Sequence, residues 1–500
     1  MSRIFLMGAQ RLYVDVGREL VRRGIDPVLI YVTDHSGFPE AFRAAFPQAT
    51  LLPAFPLYGA NLPVGLKVDL QPAQTEDIEA LAPWEGAVLQ MMDRRNFDGL
   101  AAHDVRHMYL RYIAMWRALL EHFKPDAVHF HLTPHQGHDF VLYLLCRRLG
   151  IPTIIVEATY LKQRLFIRRA IEDVPRPSAE ELSRKLLEFG GAPPPLETAQ
   201  QHTIAKQLVD PLDIEKNLSI RRQLAELLKP AVLTRALKPS YDNAFGLTQR
   251  RPPQALYRIY ELWGRIGVRE TYRFYQQRAK RSRLSEPFVY LPLHYQPEKT
   301  TLPDGLRFTD QLHIAEVLAA SLPAGWKLYV KEHARQFNLS YGLRGTTWSK
   351  GRSMHFYRRL AALRGVELVD LDVPSADLAA SSRAVATVTG TSGWEALQMG
   401  KPVLVFGSAW FSSCPGVYRI RDTAEVGPAL RHIAASAGHV DTAAVLAWAH
   451  AMQSPRNTFR GVHWDPLVEK TDMTPEEHAR SYADALEAAV RDAHIGVKAS

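Results

Sequence analysis

The segment Ala384–Gly407, AVATVTGTSGWEALQMGKPVLVFG, has two apolar runs separated by a glycine-containing turn and a helical stretch. The first run, AVATV, has the composition of a buried strand, and KPVLVFG reads as a second one. A strand, a helix and a strand in this order predict two parallel strands with the helix on one face of the sheet. The segment therefore indicates an α/β fold.

The same alternation recurs on both sides of a central region. Near the N-terminus the runs RIFLM, DPVLIYV, AVHFHL and IPTIIVEA read as strands separated by helices, and FVYLPL, WKLYVKEH and VELVDL repeat the pattern later. We predict an α/β protein with two Rossmann-like domains that face a cleft. The predicted parts are a first domain at 1–175, a helical basic connector at 176–284, a second domain at 285–425 and C-terminal helices at 426–500. In the second domain SADLAASS should begin a helix with Ser375 as its N-cap.

Composition limits the class of partner. The 500 residues are too many for one core, and 61 basic against 52 acidic residues give a net charge of +9, which favours a nucleotide, an acidic glycan or a lipid surface. The basic residues lack the interleaved aromatics of a nucleic-acid module, so we expect no nucleic-acid partner. Cys146 and Cys414 lie in apolar segments and should be buried free thiols. The start lacks a signal-peptide pattern and no apolar run approaches about 18 residues, so we expect a cytoplasmic protein, with peripheral inner-membrane contact as an option.

The turn after AVATV has the residue types of an anion site. Glycines let the backbone approach a ligand, and the first amides of a helix bind anions together with the helix dipole. With hydroxyl donors and a carboxylate for a ribose diol, we expect a phosphate and a ribose at Thr389, Gly390, Thr391, Ser392, Gly393 and Glu395. The alternative is a capping box of Ser392 and Glu395, which requires neither the second glycine nor the extra threonine. A Walker loop is absent, and the position late in the chain does not suit an NAD fingerprint.

Polar residues also follow two other predicted strands, where ligands of open α/β sheets lie. After FVYLP, an extended backbone would point His294, Gln296 and Glu298 the same way, although a proline-punctuated loop is the alternative. Four polar side chains crowd the strand end after WKLYV, namely Lys331, Glu332, His333 and Arg335, and we expect them to bind the donor. A cationic or hydrogen-bonding pair among them could hold a phosphate, although a structural histidine is the alternative.

Histidines are concentrated in HFHLTPHQGHD, residues 129–139, behind a strand of the first domain. His138 and Asp139 are the preferred candidates for a general base, and Glu298 of the second domain is a further catalytic candidate. Structural histidines are the alternative, and Glu157 is a further carboxylate at the same edge. The spacing matches no strong zinc pattern, so we expect no metal.

The stretch VTGTSGWEALQMGKPVLVFGSAWFSSCPGV resembles the C-terminal half of bacterial capsule polysaccharide biosynthesis proteins, which include β-Kdo transferases. The resemblance covers roughly residues 285–420. It implies a metal-independent GT-B glycosyltransferase without a cofactor, with the acceptor on the first domain and the donor on the second. It further implies that His333, Thr391 and Ser392 contact the donor phosphate and that Glu395 contacts the nucleoside. Ala334 stands where the family usually has proline, which leaves the donor open.

We therefore expect glycosyl transfer from a nucleotide sugar, with a CMP-Kdo-like donor among the candidates, to a capsule or surface polysaccharide acceptor. One alternative is a sugar-nucleotide 2-epimerase, which shares the two-domain fold but has no need of the long helical middle. The other is a non-catalytic glycan-binding or scaffold subunit of capsule biosynthesis or export, against which the intact polar strand ends argue.

Overall fold

The computed structural model describes residues 2–9, 12–32, 38–94, 100–196, 254–337, 351–436, 438–462 and 471–498, with a few isolated positions between 214 and 250. The strands of these residues are β1 (Ser2–Ala9), β2 (Ile25–Val32), β3 (Thr50–Pro53), β4 (Ala127–Phe130), β5 (Thr153–Ala158), β6 (Arg164–Arg168), β7 (Tyr241–Asp242), β8 (Gln249–Arg250), β9 (Phe288–Pro292), β10 (Lys327–Lys331), β11 (Val366–Leu368), β12 (Ala384–Thr387), β13 (Val403–Val405), β14 (Val417–Arg419) and β15 (Phe459–Arg460).

The helices complete the layers around the sheets. In the described residues they are α1 (Leu12–Arg22), α2 (Phe38–Ala45), α3 (Ala54–Tyr58), α4 (Thr75–Asp93), α5 (Ala102–Phe123), α6 (His138–Leu149), α7 (Ala179–Glu188), α8 (Gln254–Arg278), α9 (Gln311–Ser321), α10 (Met354–Ala362), α11 (Ser375–Ser381), α12 (Thr391–Gln398), α13 (Val426–Ala435), α14 (Thr442–Met452) and α15 (Pro475–Lys498), with 3₁₀ turns at Ala334–Phe337 and Thr423–Glu425.

The N-terminal sheet has the order β15-β6-β5-β4-β1-β2-β3. Strands β1 to β5 pair in parallel, and β6 and β15 extend the sheet in antiparallel fashion. Alternate residues of β1 point to opposite faces, so Phe5 packs toward the cluster under α5 and Ile4 toward the cluster under α1. The chain reverses direction across the sheet between β1 and β4, the topological switch point where such sheets bind ligands.

The C-terminal sheet is entirely parallel in the order β11-β10-β9-β12-β13-β14. Its switch point lies between β9 and β12. This arrangement confirms the predicted α/β class with two Rossmann-like domains.

The end of the chain returns to the first sheet. Strand β15 pairs with β6, and α15 packs against α1 through a hydrogen bond of 2.8 Å between the hydroxyls of Tyr482 and Tyr13. The side chain of His129 lies beside this pair, with Nε2 at 3.4 Å from the Tyr482 hydroxyl, and is fully buried. His129 therefore helps to anchor the last helix.

Most of the predicted connector lies outside the described residues. Of its described parts, α7 lies beside α14, where Ser454 donates to Glu181, and α8 lies on the C-terminal sheet, where the Tyr275 hydroxyl donates to the Val369 carbonyl at 2.6 Å. No helix within the described ranges is long and apolar enough to cross a bilayer.

Of the predictions for single residues, that for the cysteines is confirmed and that for Ser375 is wrong. Cys146 and Cys414 are buried free thiols, as predicted. The predicted N-cap at Ser375 is wrong, because Pro374 occupies that position and α11 begins at Ser375 without a side-chain cap. Strand β6 and helix α4 had no counterpart in the sequence prediction, since neither has a clean strand or helix period.

Candidate functional site

The loops at the two switch points lie against each other. Arg94, just after α4, donates to the carbonyl of His135 at 3.2 Å and to the carbonyls of Glu298 and Leu302 at 3.2 and 2.7 Å. Burial lowers the pKa of Arg94 to about 10, against the opposing effects of Asp139 and Glu298. One guanidinium therefore ties the histidine-rich loop of the first domain to the loop after β9.

Four charged side chains, three of them buried, form a second link between the domains. Lys299 of the C-terminal domain lies 2.8 Å from both carboxylate oxygens of Glu157, and Arg168 lies 2.7 Å from Asp304. Thr133 donates its N–H to Glu157 at 2.7 Å. The predicted candidate Glu157 thus takes part in an ion cluster of two acids and two bases, which we call the interdomain ion cluster.

The turn after β12 is held by a buried histidine. Nε2 of His294 lies 3.1 Å from the Thr387 hydroxyl and 3.4 Å from the Thr389 N–H, and the Thr387 hydroxyl accepts from Gly390 N–H at 3.0 Å. Burial, with the added influence of His333 and Arg352, lowers the pKa of His294 to about 3. A neutral imidazole therefore fixes the switch-point turn from the neighbouring strand end.

The capping box of Ser392 and Glu395, the alternative to a ligand site, does not form. Helix α12 begins at Thr391 with Gly390 as its N-cap and no side-chain cap, so Ser392 lies inside the first turn. Thr389 donates its hydroxyl to the Thr300 carbonyl at 2.7 Å. The hydroxyls of Thr391 and Ser392 are half-buried and have no hydrogen-bond partner among the described residues. Two donors at the start of a helix are thus available to a ligand.

Packing explains both glycines of the turn. A Cβ at Gly390 would lie 2.8 Å from the Thr387 hydroxyl, and a Cβ at Gly393 would lie 2.8 Å from Cζ of Phe411. The sequence interpretation, close approach of a ligand, did not anticipate this internal requirement.

The polar residues that follow β10 differ in their surroundings: two have partners within the protein and two are accessible to solvent. Glu332 is buried and accepts from Arg352 at 2.8 Å and from the Tyr357 hydroxyl at 2.6 Å, so its carboxylate faces the core. Lys331 points toward the loop before α11, where its ammonium lies 3.3 Å from the Ser375 hydroxyl. His333 and Arg335 remain accessible.

His333 lies in the cleft as a neutral group. Solvent reaches the His333 side chain, but the surrounding protein partly desolvates it and lowers its pKa. The negative charge of Glu332 opposes this lowering. Nδ1 of His333 accepts from the Arg335 N–H at 3.3 Å, which orients the ring at the start of the 3₁₀ turn.

Gln296 and Glu298 lie on the loop after β9. The backbone of Gln296 bonds reciprocally with the Gln336 amide, at 2.8 and 3.1 Å, and the Gln296 side chain donates to Thr301. Glu298 is solvent-exposed, and its carboxylate accepts a hydrogen bond from the Thr300 hydroxyl at 3.0 Å. The surrounding protein partly desolvates this carboxylate and so raises its pKa. Glu298 therefore reaches the cleft, whereas Gln296 holds two loops together.

Glu395 is exposed on α12. Burial, with the negative charges of Glu298 and Glu395 nearby, raises the pKa of Tyr160 to about 12. Tyr160 follows β5, so both carboxylates lie near the side of the cleft that belongs to the first domain.

Of the predicted bases, His138 lies in the core. It is 1% exposed and packs against Tyr58, Tyr31 and Trp116, with ring centroids 4.8, 5.9 and 6.4 Å away. Asp139 accepts the N–H groups of His135 and Gln136 at 3.0 and 2.6 Å, so its carboxylate shapes the loop.

Sequence reasoning passed over His135 as a base. Its Nδ1 lies 2.8 Å from the Thr133 carbonyl, which can only accept, so Nδ1 carries the proton and Nε2 the lone pair. His135 is half-buried at the interdomain edge, and the signal for it was present in the histidine-rich segment. His131 instead packs against Gly8, where an added Cβ would clash with its imidazole ring. The described residues contain no cluster of three or more His, Cys, Asp or Glu placed for a metal.

Residues 309–431 match the family described as Capsule polysaccharide biosynthesis protein. This confirms the predicted family resemblance for the part of the chain that carries His333, Arg335 and the turn after β12. Comparison with curated proteins gives no match.

Similar solved structures include Thermosulfurimonas dismutans KpsC, a beta Kdo 2,4 transferase, at 17% identity over 61% of this chain and 79% of that chain, with a TM-score of 0.24. The S. aureus MnaA–UDP co-structure is 12% identical over 90% and 92%, with a TM-score of 0.23. UDP-GlcNAc 2-epimerase from Neisseria meningitidis bound to UDP-GlcNAc is 13% identical over 98% and 100%, with a TM-score of 0.21. At such low identities and TM-scores, none of these likenesses bears on the activity of this chain.

Proposed function

We propose that this protein is a glycosyltransferase of the GT-B type that moves a sugar from a nucleotide-sugar donor to a capsule or related surface polysaccharide acceptor. The observation that carries the proposal is the turn after β12, with two available hydroxyls at a helix start on the switch point of a parallel sheet. The family match over residues 309–431 supports the same assignment.

The donor phosphates would bind at Thr391 and Ser392, opposite His333 and Arg335. Hydroxyl and amide donors aimed at the phosphates would stabilise the negative charge that develops on the departing nucleotide. Glu395 would accept from the ribose. Gln296, Lys331, Glu332 and Thr389 have internal partners, so in this proposal they position the loops rather than contact the donor.

The acceptor hydroxyl would approach from the first domain. In an inverting reaction Nε2 of His135 would take its proton, while Asp139 and the Thr133 carbonyl hold the loop and the tautomer. Glu298 is the second carboxylate within the cleft. The chemistry described uses no metal, and basic residues of the connector are proposed to contact the inner membrane peripherally.

The test is a calorimetric titration of the full chain with CMP, UDP and GDP, beside His333→Ala and Glu395→Ala. We expect one nucleotide to bind selectively and to bind at least tenfold more weakly in both variants. His355→Ala and Glu76→Ala, which change exposed residues outside the cleft, should bind like the wild type.

No binding of any nucleotide would overturn the donor site and favour a scaffold. Epimerised nucleotide sugar formed without an acceptor would instead favour an epimerase.

A further inference from the structure

A cavity separate from the proposed donor site lies at the same edge of the C-terminal sheet as the turn after β12. Its volume is about 730 Å³, within the range of about 300–1,000 Å³ typical of small-molecule sites. It is bounded by the ends of β13 and β14, by residues 306–308, and on the side of the first domain by residues 172–176. The cavity is therefore another space between the two domains.

Four guanidinium groups surround this cavity, those of Arg176, Arg307, Arg419 and Arg421. Among the described residues none of them forms an ion pair with an aspartate or glutamate. Arg419 donates to the carbonyl of Glu172 at 2.7 Å, a neutral acceptor. Burial is the main cause that lowers the pKa of Arg419, the charges of Arg421 and Arg176 add to it, and Asp173 and Glu172 oppose it.

Two acids also line the cavity, but their carboxylates have other partners. Asp173 accepts the N–H groups of Arg169 and Ala170 at 3.2 and 2.8 Å. Glu172 lies 3.8 Å from Arg147, which is outside the cavity lining. The lining therefore carries four positive and two negative charges, a formal excess of two positive charges.

The cavity adjoins the turn after β12. A Cβ added at Gly407, in its wall, would lie 2.9 Å from Cγ2 of Thr389. Phe308 and Ile420 contribute an apolar floor. A ligand in this cavity would thus lie beside the proposed donor site. Its ring could pack against the apolar side chains while an anionic group binds the arginines.

We propose that this cavity binds an acidic sugar, one that carries a carboxylate or a phosphate. Guanidinium groups match both anions with paired N–H donors. The sugar comes from one of two sources, the donor or the end of the acceptor. As a substrate subsite the cavity rests on the proposed function, whereas its preference for anions does not.

The experiment titrates the full chain with glucuronate, glucose 6-phosphate and neutral glucose at low salt. We expect at least one acidic sugar to bind tenfold or more tightly than glucose. The double variant Arg307→Gln/Arg421→Gln changes two exposed residues and should weaken that binding at least tenfold. The matched control, Arg364→Gln/Arg431→Gln, removes two exposed arginines outside the cavity and should stay within twofold of the wild type.

Equal binding of all three sugars, or acidic-sugar binding that the double variant leaves unchanged, would overturn the proposal. In transfer assays a higher KM for the donor in the double variant would assign the cavity to the donor sugar, and a higher KM for the acceptor would assign it to the acceptor. Arginine-dependent binding of acidic sugars without any nucleotide binding would refute the proposed function and leave the anion cavity standing. Nucleotide binding without a preference for acidic sugars would support the proposed function and refute the anion cavity.

Discussion

Nζ of Lys299 lies 2.8 Å from each carboxylate oxygen of Glu157, and this ion pair joins the two domains across the cleft. Burial disfavours the ammonium charge, but Glu157 and Asp304 outweigh burial and raise the pKa of Lys299. Removal of the lysine would leave two buried acids with only Arg168 between them.

The Lys299→Met variant should therefore lose about 2–3 kcal/mol of unfolding free energy. This is somewhat less than the loss of about 3–5 kcal/mol for a fully buried pair, because Lys299 is 25% exposed. Urea unfolding followed by tryptophan fluorescence measures the change. Lys185→Met is the control, because its partner Glu188 is about half exposed whereas Glu157 is buried, and it should destabilise the protein clearly less. Equal losses in the two variants would contradict a special role for the interdomain ion cluster.

Substitution of Gly393 by alanine tests how tightly α12 packs. The new Cβ would lie 2.8 Å from Cζ of Phe411 and 3.0 Å from Cγ2 of Thr387, so we expect a loss of about 1–3 kcal/mol through overpacking. Thermal unfolding reports the loss. Gly86→Ala is the matched control, because its Cβ would meet nothing within 4 Å on the exposed face of α4, and it should stabilise the protein by up to about 1 kcal/mol. A Gly393→Ala protein as stable as the wild type would refute the contact.

The repeated parts of the fold followed from the sequence because period and composition are local. AVATV, the turn and α12 lie within a short stretch, so their order could be read directly. The partners of that turn are distant: Phe411 limits Gly393 and His294 orients Thr389, and nothing in their spacing signals either contact.

The same limit applies to the charged residues of the candidate site. Glu332 was predicted to bind the donor because the sequence does not reveal its buried partner Arg352, which lies 20 residues further along the chain. Glu157 was a candidate carboxylate at the strand edge because its partner Lys299, 142 residues away in the sequence, could not be foreseen. Where a polar side chain follows a strand, sequence indicates the edge, but tertiary pairing decides whether the group faces the ligand or the core.

The acid stability of the protein should depend on His294. Its pKa is about 3 when folded, against an ordinary value of 6.5, so the unfolded chain takes up a proton that the folded chain does not as the pH falls below 6.5. Above that pH the group costs nothing, and between pH 7 and pH 5.5 it should remove about 1 kcal/mol of stability. Urea unfolding at both pH values measures this difference.

The His294→Gln variant keeps an acceptor near Nε2 but cannot take up the proton, so it should lose about 1 kcal/mol less than the wild type between the two pH values. The exposed His355→Gln variant should follow the wild type. An unchanged pH dependence in His294→Gln would show that its burial is not linked to stability.

Ser392 distinguishes a ligand site from a helix cap. Because its hydroxyl caps nothing, Ser392→Ala should leave the unfolding free energy within about 0.5 kcal/mol of the wild type while weakening nucleotide binding. Ser178 does cap α7, in a capping box with Glu181, so Ser178→Ala should cost about 1 kcal/mol and leave nucleotide binding unchanged. Combined urea unfolding and calorimetry test both variants. A stability loss in Ser392→Ala equal to that in Ser178→Ala would restore the capping interpretation.

His135 is the sharpest test of the proposed chemistry. Its Nδ1 donates to the Thr133 carbonyl, so Nε2 is the basic nitrogen of the neutral ring. His135→Gln should lower kcat for glycosyl transfer by about 10²–10⁴-fold, the usual contribution of a general base, with the nucleotide Kd within twofold of the wild type. The exposed His107→Gln on α5 is the matched control and should transfer sugar at the wild-type rate. Full activity in His135→Gln, with loss of activity in Glu298→Gln, would move the base to the loop after β9.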